Sequence, residues 1–373
     1  MHQLIAAQQG PRYIVARPGA PGGILLPAAQ FHTLKSAAES RAPVPAWLSD
    51  KAEAAWGLDL GGQATAETVL IRPSSVLGYS RATWEINKGC NFNCEHCYLA
   101  QRVFEGLNWD DKKRLLHIIR DSGALWLQFT GGEPTIDRDF HRAWAYASRL
   151  GLLLDLLTNG SRLHDPKIID LLCTHPPQKV VVSLYGASKE SARAVTRTPR
   201  AFDLVMRGLS AARNAGIAVE IALVVTKDNT HELDAMRKIA HEYARSYKEY
   251  ASISPTYDGR ADPLATQAPG HGDRAPVFTG CPAGHTFFHA DPWGKATMCK
   301  VGRENPIDLM REGVHGLMRL PGIADAQMLR TGECRGCTLS GTCRVCRPMA
   351  KAFQAAKAPL EKYCQHGRKD DRA

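Results

Sequence analysis

The chain has no stretch of about twenty uninterrupted apolar residues, so a membrane span is not expected. Its first residues, Met1 to Gly10, lack a basic region and a long apolar core, which argues against a secretory signal and for a cytoplasmic protein. There is no HExxH, no Walker loop, no Ser–His–Asp pattern and no paired acid and base, so a hydrolase or nucleotide triphosphatase is not indicated. The formal charge is +10, yet the basic residues are scattered and not interleaved with aromatics. A solvated surface explains them, and no nucleic-acid partner is expected. What the 373 residues do have is cysteine, eleven in all, in short-spaced groups that favour metal ligation over disulfides.

The first group is Gly89-Cys90-Asn91-Phe92-Asn93-Cys94-Glu95-His96-Cys97-Tyr98, a C-x3-C-x2-C run. Iron–sulfur clusters usually take four cysteines. Three either make an incomplete site or leave one iron open to a substrate or cofactor. The plainer reading is zinc held by the three thiolates and His96. A second motif, Gly131-Gly132-Glu133-Pro134, follows about one helix and one strand later at the end of an apolar strand.

Together, in this order, the two motifs resemble the radical S-adenosylmethionine (radical SAM) enzymes. The resemblance implies that Cys90, Cys94 and Cys97 hold a [4Fe-4S] cluster. Its open iron would chelate the methionine amino and carboxylate groups, and an electron would cleave the sulfonium to a 5′-deoxyadenosyl radical. It further implies S-adenosylmethionine contacts at His96, Tyr98, Gly131, Gly132, Glu133 and Pro134, with the amino group received by the Gly-Gly-Glu edge. By strand-end position, Thr158, Asn159, Ser183 and Thr226 join them. Each of these has an ordinary alternative as a turn or cap residue. No catalytic acid or base is assigned.

Between residues 81 and 257 strands and helices alternate. Strands are expected at Thr83–Asn87, Ala124–Thr130, Leu152–Leu157, Lys179–Leu184, Ala218–Thr226 and Ser252–Pro255. Helices are expected at Asp110–Asp121, Phe140–Leu150, Asp165–Cys173, Phe202–Ala215 and Thr230–Tyr243. Repeated strand–helix units imply parallel pairing with right-handed crossovers. The α/β pattern matches the partial (β/α)6 TIM-like barrel of the radical SAM family, with every motif at the C-terminal rim. Cys173, on an apolar helix pattern, reads as core.

Residues 1–80 read as a small α+β extension, with a hairpin at Arg12–Ala16 and Gly23–Leu26 and helices at Ala28–Ala38 and Pro45–Trp56. Leader-peptide-binding winged-helix modules occupy this place in peptide-modifying relatives. A purely structural extension is the alternative. Residues 258–280 read as a linker.

Residues 281–373 carry seven cysteines, a hairpin around Asp291-Pro292-Trp293-Gly294 and a helix near Met349–Ala356. They resemble the SPASM extension, whose two auxiliary [4Fe-4S] clusters bring the expected total to three. Carried over by position, Cys334, Cys337, Cys343 and Cys364 form the distal set, and Cys281, Cys299 and Cys346 the proximal one. The proximal set lacks a fourth cysteine, leaving an open iron, a water, or His285 or His289. A zinc ribbon on Cys334, Cys337, Cys343 and Cys346 is the competing reading.

The function implied is an oxidoreductase that modifies, by cross-linking, a ribosomally made precursor peptide. Flavodoxin or ferredoxin is the expected electron donor. The alternatives are a sulfatase-maturing or small-molecule dehydrogenase SPASM enzyme, and a zinc-stabilised binding protein without catalysis.

Overall fold

The computed structural model of the chain describes residues 2–99, 101–271 and 280–366. The N-terminal unit consists of β1 (Leu4–Gln9), β2 (Arg12–Ala16), β3 (Ile24–Leu26), α1 (Ala28–Glu39), α2 (Ala46–Trp56), the single turn α3 (Thr65–Thr68) and β4 (Val69–Ile71). Its sheet runs β3-β2-β1-β4, with β4 parallel to β1 and the other pairs antiparallel. The expected hairpin is β2–β3. Strand β1 begins Leu-Ile-Ala-Ala, without polar alternation, because both its faces are covered. Leu4 and Ala6 pack with Val15, Phe31, Leu34 and Leu48 under the helices, while Ile5 and Ala7 pack with Leu125 and Leu153.

The next twelve elements are β5 (Arg81–Asn87), α4 (Trp109–Asp121), β6 (Trp126–Gly131), α5 (Phe140–Arg149), β7 (Leu153–Thr158), α6 (Pro166–Thr174), β8 (Lys179–Leu184), α7 (Lys189–Thr196), α8 (Ala201–Asn214), β9 (Val219–Val224), α9 (Leu233–Tyr243) and β10 (Ser246–Tyr250). Six parallel strands follow one another in sequence order, the arrangement that strand–helix repeats dictate. Side-chain caps set several helix starts: Asn108 accepts from Asp111 N, Asp165 from Lys167 N, and Ser188 from Ser191 N.

Leu125 and Leu153 lie at the N-terminal starts of β6 and β7, so the first unit sits against the strand end opposite the motif-bearing rim. Arg72 fastens that end. Its guanidinium, 3 % exposed, donates to the carbonyls of Gly151, Arg120 and Ala124 at 2.9, 2.7 and 3.1 Å.

Two expectations are corrected. The sixth strand is Ser246–Tyr250, not Ser252–Pro255. Its Ser-Tyr-Lys-Glu-Tyr run is mostly exposed on the sheet edge, where charge is tolerated and apolar patterning fails. Cys173 is exposed on α6 and is not core; Ile168 and Leu172 carry the buried face.

The C-terminal hairpin does not stand apart from the barrel. The chain continues as β11 (Phe287–Ala290), β12 (Lys295–Thr297), β13 (Ile307–Asp308), α10 (Leu309–Glu312), α11 (Leu320–Gln327) and α12 (Arg347–Ala355). β11 pairs parallel with β5, giving a nine-stranded sheet in the order β10-β9-β8-β7-β6-β5-β11-β12-β13. Its apolar residues join the barrel core: Phe288 packs edge-on against Tyr79 at 5.2 Å. A separate small core of Val345, Ala350, Phe353, Leu360 and Tyr363 organises the last residues. Part of the expected linker, residues 272–279, lies outside the described residues.

Candidate active site

The C-terminal strand ends are stitched together by their own motif residues. The loop leaving β5 meets the end of β6 through backbone bonds: Gly132 N donates to Asn87 O at 3.1 Å and Glu133 N to Gly89 O at 2.8 Å. Glycine is required for this approach. Gly131 has φ +140°, and a Cβ there would lie 2.0 Å from Asn87 O; at Gly132 a Cβ would lie 2.1 Å from Gly89 O. The two glycines therefore press the strand end onto the cysteine loop.

Glu133 is fully buried. Its Oε1 accepts from Thr158 Oγ1 at 2.7 Å and from Thr135 N and Oγ1, and its Oε2 accepts from Asn159 N at 2.6 Å. Burial pushes its pKa up against these donors. The carboxylate thus braces the ends of β6 and β7, Thr158 is one of its donors, and Pro134 opens the short turn that follows. Asn159 carries the linkage on: its Nδ2 donates to Asn91 Oδ1 at 2.9 Å and lies 3.8 Å from Cys90 Sγ. Asn91 in turn donates to Ser161 Oγ at 2.8 Å.

Cys94 is buried and Cys90 and Cys97 are half-buried. Burial pushes Cys90 up to about 11 and Cys94 still higher, and the Cys97 sulfur raises both further. Without a cation Cys90 and Cys94 stay protonated; a cationic iron centre favours thiolates. Arg102 donates to Cys94 O, and Asn93 N to Thr196 O, closing the loop against α7. Among the described residues, no three His, Cys, Asp or Glu side chains are gathered to hold a single metal ion. A cube, whose thiolates bind different irons, does not ask for that convergence.

His96 has a buried Nδ1 without a hydrogen-bond partner, and its ring lies 5.7 Å from that of Tyr185. Burial, then Arg102, pushes it down to about 4, so it is neutral. An orphaned ring nitrogen beside the three thiols fits a cofactor contact. Ser183, at the end of β8, is hydrogen-bonded to Tyr185. Thr226, after β9, is folded into a turn in which its N–H donates to Asn229 Oδ1 at 2.8 Å. Asn229 also donates to Tyr185 O and Val224 O, tying β8 to β9.

Tyr98 faces a different neighbourhood. Its hydroxyl donates to Glu85 Oε1 at 3.0 Å. Glu85 is fully buried and forms a two-pronged pair with Arg303, Nη2 to Oε1 at 2.7 Å and Nη1 to Oε2 at 3.1 Å. Arg303 lies over the Tyr257 ring at 4.2 Å. Lys88 Nζ lies 3.1 Å from Tyr257 Oη and over the Trp293 ring at 4.7 Å. Lys300 reaches Gln128 Oε1 at 3.4 Å and Thr130 Oγ1 at 3.3 Å, and burial pushes it down to about 8. Glu85, Lys88, Tyr257, Lys300 and Arg303 belong to no spaced motif in the sequence. One signal was available: β5 alternates, with Trp84 and Ile86 on one face and Thr83, Glu85 and Asn87 on the other, and a charged residue there marks a polar interior.

The late cysteines separate into two neighbourhoods. Burial raises the Cys346 thiol, and the sulfurs of Cys299 and Cys281 raise it further, so these three lie together. Cys299 Sγ accepts from Gly302 N at 3.1 Å. Cys334, Cys343 and Cys364 pack on the small C-terminal core. Cys343 Sγ accepts from Arg347 Nη2 at 2.9 Å and Cys334 Sγ from Gln354 Nε2 at 3.5 Å. Cys337 stands half-buried in the same segment. Neither histidine joins the proximal three. His285 pairs with Asp325 at 2.9 Å, and His289 is buried between Thr83 and Glu85.

Residues 84–240 match the model of the radical SAM superfamily. The chain is 30% identical over 187 residues to the AdoMet-dependent heme synthase of Nitratidesulfovibrio vulgaris, covering 49% of this chain and 50% of that protein. It is 29% identical over 242 residues to the mycofactocin maturase MftC of Mycobacterium tuberculosis, covering 59% and 60%. The match thus spans half to three-fifths of these curated relatives. Among solved structures, Streptococcus suis SuiB bound to precursor peptide SuiA aligns with a TM-score of 0.60 at 14% identity, over 98% of this chain and 94% of that one. anSMEcpe with bound AdoMet aligns with a TM-score of 0.52 at 14% identity, over 77% and 88%. Both likenesses concern the fold.

Proposed function

Starting from the radical SAM domain that residues 84–240 form, we propose that this enzyme cleaves S-adenosylmethionine reductively and oxidises a side chain of a ribosomally made precursor peptide, forming a carbon–carbon, carbon–oxygen or thioether link. The observation that carries the reading is the stitched rim, where three thiols, an unpartnered His96 nitrogen and the Gly131-Gly132 edge face one another across β5 and β6. S-adenosylmethionine and an iron–sulfur cluster are the cofactors the domain requires. Bound there, they supply a hydrogen-abstracting radical.

The chain's own residues do the rest. Cys90, Cys94 and Cys97 are assigned to the cluster. His96, the Gly131–Pro134 edge and the strand ends at Thr158, Asn159, Ser183 and Thr226 are assigned to S-adenosylmethionine, Glu133 acting from beneath as a brace. Tyr98 is assigned to the junction with the Glu85 network.

Two further [4Fe-4S] clusters are proposed, the proximal on Cys281, Cys299 and Cys346 and the distal on Cys334, Cys337, Cys343 and Cys364. The neighbouring sulfurs of the first set and the shared packing of three cysteines of the second support that division. It makes residues 81–257 the catalytic core, 258–280 a linker, 281–373 the auxiliary-cluster domain and 1–80 a peptide-handling extension. Support for a peptide substrate comes from the maturase relative and from the full-length likeness to SuiB. Flavodoxin or ferredoxin is the proposed donor.

The test is anaerobic incubation of cluster-loaded enzyme with S-adenosylmethionine, dithionite and the peptide encoded beside its gene. The expected products are 5′-deoxyadenosine and a peptide lacking two hydrogens. 5′-Deoxyadenosine without any change in the peptide would defeat the substrate assignment.

A further inference from the structure

The formal charge of +10 is scattered along the sequence, but the fold gathers part of it beside the first cysteine loop. A cavity of about 530 Å³ opens between the loop after β7, the start of α8 and Asn91 of the cysteine loop. Arg162, Arg200 and Arg207 line it with a single carboxylate, Asp165. That carboxylate is occupied: Arg162 Nη2 lies 2.5 Å from one oxygen, and the other accepts from Lys167 N at 3.0 Å. Arg200 and Arg207 are exposed, and among the described residues neither forms an ion pair. Arg207 reaches only His164 Nε2, at 3.5 Å. The acid in the first turn of α8, Asp203, is engaged by Lys189 at 3.2 Å.

Helix stability does not explain this placement. Arg200 is the N-cap of α8 and makes no capping bond, so its charge opposes the helix dipole. A residue that breaks a local rule marks a use elsewhere. On the other flank of the cysteine loop the charges balance: Arg197 pairs with Glu95 at 2.7 Å, Arg260 with Asp258 at 3.7 Å, and Arg102 shares that cavity with Asp262. The excess of positive charge is therefore on the Asn91 side. From there a short relay leads inward. Asn91 and Ser161, both in the cavity wall, are joined at 2.8 Å; Asn159 Nδ2 donates to Asn91 Oδ1 at 2.9 Å and lies 3.8 Å from Cys90 Sγ. Two side chains thus separate the basic wall from a cysteine sulfur that is assigned to the cluster. A protein that delivers electrons cannot enter the barrel, so it must seat where the loop comes nearest the outside.

We propose that the face formed by Arg162, Arg200 and Arg207 is the docking surface for an acidic one-electron carrier protein, seated so that its electron enters by Asn91 and Asn159 toward Cys90. Resting on the radical reading, this adds where the donor binds and which charges select it. The carrier is oxidised by one electron and the cluster on Cys90, Cys94 and Cys97 is reduced by one; no bond forms or breaks and no proton moves. Opposite charge across such a face speeds encounter and fixes orientation, and salt screens it. A nucleic-acid backbone would also meet these arginines, but it would have no use for the relay to Cys90.

An acidic flavodoxin and an acidic ferredoxin serve as probes, titrated by calorimetry into cluster-loaded enzyme. At least one is expected to bind the parent and to weaken about tenfold as sodium chloride rises from about 0.05 to about 0.3 M. Arg200→Glu and Arg207→Glu should each weaken it about tenfold at low salt and flatten the salt dependence, while Arg200→Lys keeps parental affinity. Lys35→Glu, the same charge change on α1 of the N-terminal unit, should change affinity less than about twofold. In stopped flow, cluster reduction by the carrier should slow in Arg200→Glu, whereas reduction by methyl viologen, a small cation, should not. Arg200→Glu should unfold no lower than the parent, because an acid suits the start of α8. Arg207→Gln provides the comparison if Arg207→Glu does not fold.

Equal binding by the parent and both glutamate variants, or no binding of either carrier, overturns the proposal. So does release of the carrier by inorganic phosphate at an ionic strength where chloride leaves it bound, which would make the cavity a phosphate site. A single-stranded oligonucleotide that binds more tightly than either carrier, and loses its hold in Arg200→Glu, would assign the face to nucleic acid instead. If methyl viologen yields no 5′-deoxyadenosine yet arginine-dependent binding persists, the radical reading falls and the docking surface stands. If 5′-deoxyadenosine forms and carrier binding ignores the arginines, the reverse holds.

Discussion

Glu133 shows how much a motif residue does for its neighbours before any ligand arrives. Four protein donors converge on its carboxylate, and through Asn159 the brace reaches Asn91 and Cys90. Glu133→Ala leaves buried donors on Thr135, Thr158 and Asn159 without an acceptor. The expected cost is about 3–5 kcal/mol, read from urea denaturation, with a lower iron content after reconstitution. Glu85 makes a pH prediction. Burial alone would raise its carboxyl, but the two-pronged Arg303 guanidinium outweighs burial and holds it well below its ordinary value of 4.5. A folded-state value below the unfolded one means that the stabilisation is complete above about pH 4.5 and drains away as pH falls below it. The parent should therefore lose stability in acid more steeply than Glu85→Gln, although the variant starts lower because Arg303 is left buried and unpaired. Parallel acid limbs in denaturation curves would contradict this. At this scale the sequence was legible where spacing carries chemistry, at Cys90, Cys94, Cys97 and Gly131-Gly132. It was not legible at Glu85, Lys88, Lys300 and Arg303, because these residues are far apart in the chain and only strand pairing brings them together.

Elements explain why the rim holds its shape. Lys112 on α4, 3 % exposed, lies between Asp137 at 2.8 Å and Asp139 at 3.0 Å, in the turn that follows the Gly-Gly-Glu-Pro edge. Arg142 on α5 takes the other side of Asp139. Burial pushes the Asp139 carboxyl up, but Lys112 and Arg142 bring it below its usual value. Lys112→Met leaves a buried carboxylate half-paired, and a loss of about 3–5 kcal/mol in denaturation is expected. A loss under about 0.5 kcal/mol, the scale of an exposed pair, would show that the anchor is idle. Helices α4, α5, α6 and α8 were readable because each has one apolar stripe and a terminal signal in the sequence. The sixth strand was misplaced because β10 carries charge on an exposed edge. β1 and β4 were not anticipated: the first is covered on both faces and the second is three residues long.

On the scale of the whole molecule, two ends of one barrel are used differently. The N-terminal unit docks on the strand starts through Ile5, Ala7, Leu125 and Leu153, while the cysteine-rich segment enters the same sheet through β11 beside β5. That pairing explains how Cys299, Lys300 and Arg303, over 200 residues from the first motif, come to face it. Independence of the sites is testable by iron content. Cys364→Ala should lose about four irons per chain and still cleave S-adenosylmethionine, whereas Cys90→Ala should lose about four irons and all cleavage. Equal zinc in both variants and no sulfide would favour a zinc-stabilised fold. The most direct measurement is low-temperature electron paramagnetic resonance of dithionite-reduced, anaerobically prepared protein, with and without S-adenosylmethionine. The account predicts a [4Fe-4S] signal that changes shape when S-adenosylmethionine is added and that disappears in Cys90→Ala. A spectrum indifferent to S-adenosylmethionine, or a silent metal in the Cys90–Cys97 loop, would contradict it.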